Sequence, residues 1–244
     1  MQKTKEITPK KPKIFFRGYR AFIKFFMRKL TFYRVGEKIP ESALILSNHE
    51  ASKGPLSWEL FFKDELRMMG NEEMNCTLKR AYRYQTRIYY HQKKGWPLWL
   101  ARVVCLLVTP LTYCFYKGLQ MISIRDGFAL RRTVNDACKA LFEYKEKVLI
   151  FPEDSSKGYF AELTCFKEGF LLICEKAYRM GHDLQVVVAY VKRKGSTCLI
   201  DEAVRYSQLV ERYGTREKIA EALKNRCNEM GRLEHTSFKG YAEE

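Results

Sequence analysis

Short apolar runs alternate with segments of helical period along this chain, and that alternation limits what it can fold into. The runs lie at 43–46 (ALIL), 120–124, 147–151 and 184–191. Helical patterns fall between them, beginning near Pro55, Gly127 and Phe166, with a last one over about 215–231. A continuous apolar run of about four to eight residues suits a strand covered on both faces. Strands of that kind separated by helices predict an α/β domain with a mostly parallel mixed sheet flanked by helices. At 244 residues, with no internal repeat and no dividing linker, the chain fits one such domain over 35–244.

The basic charge is concentrated at the start. Of the net +16, residues 1–34 supply +10, from eleven Lys and Arg against one Glu. Residues 1–13 are rich in Lys and Pro and read as a flexible basic arm. From 14 to 34 the period is helical. Arg17, Arg20, Lys24 and Arg28 share one face, and Phe15, Tyr19, Phe22, Ile23, Phe26, Leu30 and Tyr33 the other. An aromatic face against a basic one suits a helix lying in a bilayer interface, with Phe15, Phe22, Phe26, Arg17, Arg20 and Lys24 as its membrane contacts. It equally suits a helix capping the domain core with its basic side in water.

The segment WPLWLARVVCLLVTPLTYCFYKG (96–118) is apolar, but its longest charge-free stretch, 103–116, holds Pro110. A span needs about 20 apolar residues, so the expectation is a buried or interface-embedded helix. Eight scattered cysteines, with no CxxC pair and no zinc spacing, predict free thiols in a reducing compartment and no metal site. The N-terminus is charged and lacks a small-residue cleavage site, so no secretory leader is expected. A basic end on a nearly balanced body points to an anionic surface, lipid or nucleic acid. No helix-turn-helix, zinc-finger or RNA-recognition signature is present, so nucleic acid is not expected as a partner.

Chemistry in an open α/β sheet gathers at the carboxyl ends of strands. Three such ends here are polar: SNHEASKGP (47–55), GLQMISIRDG (118–127) and VLIFPEDSSKGY (148–159). A histidine, an arginine and an acid-hydroxyl-lysine loop are suited to hold a phosphorylated substrate and deprotonate its hydroxyl. In this order and spacing the three loops resemble the glycerolipid acyltransferase family, the lysophosphatidate acyltransferases and their relatives. The similarity runs from about Ser42 to Val191. His49 sits in NHEASKGPL where relatives read NHxSxxDPL, and Arg125 ends the second block. Glu153, Asp154, Ser155, Ser156 and Lys157 stand where the family has EGTRS, and LQVVVAYV loosely matches the fourth block.

The resemblance implies a peripheral or monotopic enzyme on the cytoplasmic face of a membrane with anionic lipids. It would move an acyl group from acyl-CoA or acyl-carrier protein to a lysophospholipid hydroxyl, with no cofactor and no acyl-cysteine intermediate. His49 and Glu153 are then the catalytic residues. Asn48, Arg125, Ser155, Ser156 and Lys157 bind substrate. The family's aspartate, however, is Gly54 here. In a serine-protease triad, losing the equivalent carboxylate costs roughly 10⁴ in rate. Three outcomes stay open: Glu50, Glu59 or Asp64 substitutes, the backbone orients His49, or catalysis is lost and a lipid-surface-binding protein remains.

Overall fold

A computed structural model describes residues 6–11, 14–36, 38–50, 53–154, 160–192 and 196–234, without the side chains of Phe15 and Lys53. In chain order the elements are α1 (Ile14–Phe26), β1 (Thr31–Arg34), β2 (Ala43–Ser47), α2 (Lys53–Phe61), β3 (Leu66–Asn71), α3 (Glu72–Asn75) and α4 (Leu78–Tyr84). Helix α4 runs on into a π-helical segment (Gln85–Lys93), followed by α5 (Leu98–Leu119), β4 (Ile122–Ile124), α6 (Leu130–Cys138) and β5 (Lys147–Ile150). The last are α7 (Leu171–Arg179), β6 (Gln185–Lys192), β7 (Thr197–Ile200), β8 (Val204–Arg205), α8 (Tyr206–Tyr213) and α9 (Arg216–Arg232).

The strands form one sheet in the order β1-β7-β6-β2-β5-β3-β4, with β8 also on β6. From β6 to β4 every pairing is parallel, and β7 and β8 run antiparallel to β6. This is the α/β, mostly parallel mixed sheet that the alternation predicts. Successive side chains of β2 leave by opposite faces. Leu44 and Leu46 pack with α6, α7 and α9, while Ala43 and Ile45 pack with Trp58 of α2 and Phe16 of α1. Trp58 is fully buried and its indole N–H donates to Ser47 Oγ at 3.2 Å. At ~25 cal/mol per Å² an indole of this burial contributes on the order of 4–6 kcal/mol before entropy.

Two sequence expectations need correction and a third, buried or interface-embedded for 96–118, loses its buried half. The helix predicted over 14–34 ends at Phe26, and Thr31–Arg34 is strand β1, parallel to β7. Phe32 draws it in, buried between Trp58 and Phe62 with ring centroids 4.9 and 5.3 Å away. The basic arm is pinned over 6–11. Lys10 N–H donates to Glu146 at 2.7 Å, Arg67 to the Thr8 carbonyl at 2.7 Å, and Gln120 to the Lys11 carbonyl at 2.7 Å. Finally, α5 passes through Pro110 unbroken, and only Ala101, Cys105, Thr109 and Leu119 of its residues are buried. It is long and apolar enough to cross a membrane, yet lies largely exposed on the domain.

Candidate functional site

Strands β2 and β5 are neighbours in register, Leu46 opposite Ile150, so the loops that follow them leave the sheet side by side. That adjacency brings His49 and Glu153 together. The His49 backbone N–H donates to Glu153 Oε1 at 2.9 Å, and the Phe151 ring stands edge-on to the imidazole at 4.9 Å. Glu153 forms an isolated antiparallel bridge with Phe166, and Lys167 N–H donates to the Pro152 carbonyl at 2.7 Å. Burial pushes the Glu153 carboxyl up to about 7, the His49 N–H pulls it down, and the Glu50 charge raises it again. Burial likewise pushes the Tyr190 hydroxyl up to about 12, with charge from Cys227, Glu50 and Glu153 adding to it.

Gly54 has a local reason to be glycine. A Cβ built there lies 2.3 Å from the His49 carbonyl oxygen and 2.9 Å from its carbon. The first turn of α2 therefore presses its backbone onto the histidine it follows, and no side chain fits between them. An aspartate at 54 is incompatible with this backbone, so the position does not merely lack a carboxylate.

Of the three carboxylates weighed as substitutes, two are engaged elsewhere. Helix α2 carries Glu59 to the amino edge of the sheet, where Lys10 Nζ at 2.8 Å and Arg20 at 3.2 Å hold it, with the Leu66 carbonyl also on Lys10. Asp64 pairs with Lys147 at 3.0 Å. Glu50 stays beside the histidine in a left-handed backbone conformation (φ 42°), and its charge acts on Glu153 and Tyr190.

The other expected residues divide. Asn48 is 1% exposed and spends its whole amide on β6: Nδ2 donates to the Val191 carbonyl at 3.0 Å, and Oδ1 accepts the Val191 N–H at 2.7 Å. It clamps the end of β2 to β6, a framework role in place of the expected substrate contact. Arg125 does end β4 at the same carboxyl edge, but β4 is three strands from β2, about 14 Å by strand spacing. Its guanidinium is held by Glu72 and Asp136, each at 3.1 Å, so it stands as a structural ion-pair centre and not as an open phosphate ligand. Ser155, Ser156 and Lys157 lie outside the described residues.

On α1 the outer residues are as expected: Arg17, Phe22 and Phe26 are exposed. Arg20 turns inward to Glu59, and the Lys24 ammonium sits 5.4 Å over the Phe61 ring. Both thus make domain contacts, though Lys24 stays exposed. Only the helical backbone of Phe15 is described. Sequence reasoning missed Lys167, which is 3.2 Å from Asp154 and carries no signal beyond its charge. All eight cysteines are free thiols, and among the described residues no cluster of three His, Cys, Asp or Glu is placed to hold a metal ion. A cavity of about 210 Å³ lies at the amino edge, lined by Lys10, Arg20, Glu59 and Asp64 among others, well away from His49. Compared with family models and with curated proteins, the chain matches none.

Proposed function

We propose that this protein is an acyltransferase of the glycerolipid kind working at a lipid surface, with His49 as its general base. The observation that carries the reading is the convergence of His49 and Glu153 at the carboxyl ends of adjacent parallel strands, joined by a direct hydrogen bond. In an open α/β sheet this is where a site forms. The imidazole takes the proton of a lysophospholipid hydroxyl. The oxygen attacks the thioester carbonyl of acyl-CoA or acyl-carrier protein, the C–S bond breaks, and the departing thiolate takes the proton from the imidazolium. A positioned base contributes about 10² to 10⁴ in rate, and holding hydroxyl and thioester together on the order of 7–11 kcal/mol.

Glu153 is the positioning residue, because it grips the main chain that carries the imidazole. Gly54 supports the second of the three routes left by the missing aspartate. With α2 backed directly onto the His49 carbonyl, the backbone on both sides of the histidine is held, by Glu153 at its N–H and by Gly54 at its carbonyl. The cation we assign to a phosphate on the acceptor is Lys167, paired with Asp154 like Arg125 with its acids but 65% exposed where Arg125 is 13%, a role the family resemblance gives to Arg125.

The test is release of free thiol from acyl-CoA in the presence of lysophosphatidate. Wild type is expected to release thiol and His49→Ala to fall by at least a hundredfold. Wild type without release from any donor, but with vesicle binding intact, selects the other reading: a lipid-surface protein on this fold. The engagement of Arg125 by Glu72 and Asp136, which takes away the phosphate contact the resemblance implies, is what favours that second reading.

A further inference from the structure

Helix α5 keeps most of its large apolar side chains on the outside. Its inner side is built of small residues and hydrogen bonds: Ala101, Cys105 and Thr109 are buried there, Thr109 Oγ1 donates to Gln85 Oε1 at 2.8 Å, Gln85 Nε2 donates to Thr112 Oγ1 at 2.6 Å, and Tyr82 donates to the Arg102 carbonyl at 3.2 Å. The outer side is apolar: Trp99, Val103, Leu106, Leu107 and Leu111 are each 57–77% exposed. A helix in water buries such a set. Exposure of this much contiguous apolar surface marks a binding face.

The face continues onto α1. Phe16 packs on Phe115 with centroids 5.5 Å apart, and Tyr19 donates to the Leu111 carbonyl at 3.3 Å. Gly118 permits that crossing, since a Cβ there would lie 2.0 Å from the Phe16 ring. Beyond the crossing, Phe22 and Phe25 of α1 each stand edge-on to Phe26, all three exposed.

Charge identifies the occupant. No Asp or Glu occurs between Glu73 and Asp126, where there are nine Lys and Arg, and none between Glu6 and Glu37, where there are nine more. A second copy of the chain would set cations against cations. An anionic bilayer offers acyl chains to the outer side chains and headgroups to Arg102 and Lys117, the exposed cations toward the two ends of α5. Lateral bonding to the α4 and π-helical segment along its length keeps α5 from leaving the domain to span.

We infer that α5, together with the aromatic end of α1, lies lengthwise in the interfacial layer of an anionic leaflet and is the principal membrane-docking element. This deepens the lipid-surface half of the reading above and rests on that half alone. A helix of this kind sinks its apolar face about 5–10 Å into the headgroup and acyl boundary.

The test is sedimentation of the full chain with vesicles of phosphatidylcholine and phosphatidylglycerol. Wild type is expected to bind, Leu106→Gln/Leu107→Gln to bind at least tenfold more weakly, and Val210→Gln, an exposed apolar residue on α8, to bind as wild type. Brominated lipids are expected to quench wild-type fluorescence more than that of Trp99→Phe, and alkaline carbonate to strip the protein off. Unchanged binding in the double variant, or resistance to carbonate as for a span, overturns the inference. So does an oligomer in solution that the double variant dissolves without any vesicle binding. His49→Ala is expected to bind vesicles as wild type. Loss of thiol release with binding intact touches the reaction alone, and loss of binding in the double variant touches docking alone.

Discussion

Replacing Glu153 by Gln leaves the acceptor for the His49 N–H in place and removes the titration. The wild-type carboxyl is pushed from 4.5 to about 7, chiefly by burial. At ~1.36 kcal/mol per pK unit the displacement corresponds to ~3 kcal/mol, and because the carboxyl is partly open to water the working figure is about 1–2 kcal/mol. The sign follows from linkage. A carboxyl raised in the folded state gives stability that is complete below its unfolded value and is lost as pH rises through the folded one. The window is therefore from about 4.5 to about 7. Urea unfolding at about pH 5 and about pH 8 should show wild type losing about 1–2 kcal/mol more than Glu153→Gln, or ~0.5 M in midpoint at a slope near 3 kcal/mol per M. Other groups titrate in both proteins and cancel in the difference. Parallel pH profiles for the two proteins would mean that Glu153 ionises normally, and would refute the buried reading of this carboxyl.

Gly54→Ala puts a methyl 2.3 Å from the His49 carbonyl oxygen and should cost about 1–3 kcal/mol, read as a drop of several degrees in Tm, with thiol release lowered further as His49 shifts. Gly54→Asp should behave worse, so placing there the aspartate of the family it resembles should not raise thiol release. The fully buried pair Arg67–Glu146, 2.5 Å apart at its closest, predicts that Glu146→Leu loses about 3–5 kcal/mol in urea unfolding. Arg67→Met/Glu146→Leu should recover most of that loss, which distinguishes a stranded charge from lost packing.

Much of the frame was legible because buried parallel strands write themselves as apolar runs. All four runs became strands, at 43–47, 122–124, 147–150 and 185–192. β3 stayed hidden because Arg67 interrupts LRMMGN, and the carboxylate that makes its burial tolerable lies 79 residues away. β1 was absorbed into the preceding helical period, since a four-residue strand gives too few positions to tell one period from another. At the site, His49 and Glu153 were readable as residue types at strand ends. What each side chain contacts was not. Asn48, Arg125, Glu59 and Arg20 all look free in one dimension, and each is claimed by a group between 11 and 143 residues distant. The reason for Gly54 was equally invisible, because it is a backbone contact and not a chemical pattern.

The segment 6–11 lies across the amino edge of the sheet with its main chain tied to Glu146, and Tyr144 donates to the Ile7 carbonyl. Those ties span more than 130 residues, so they close only after more than half of the described sheet has been made. During synthesis residues 6–11 can meet Glu59, Leu66, Arg67 and Gln120 early, but their ties to Tyr144 and Glu146 must wait until the chain has reached β5. A chain held before that point should leave residues 6–11 more open to proteases than one released after it.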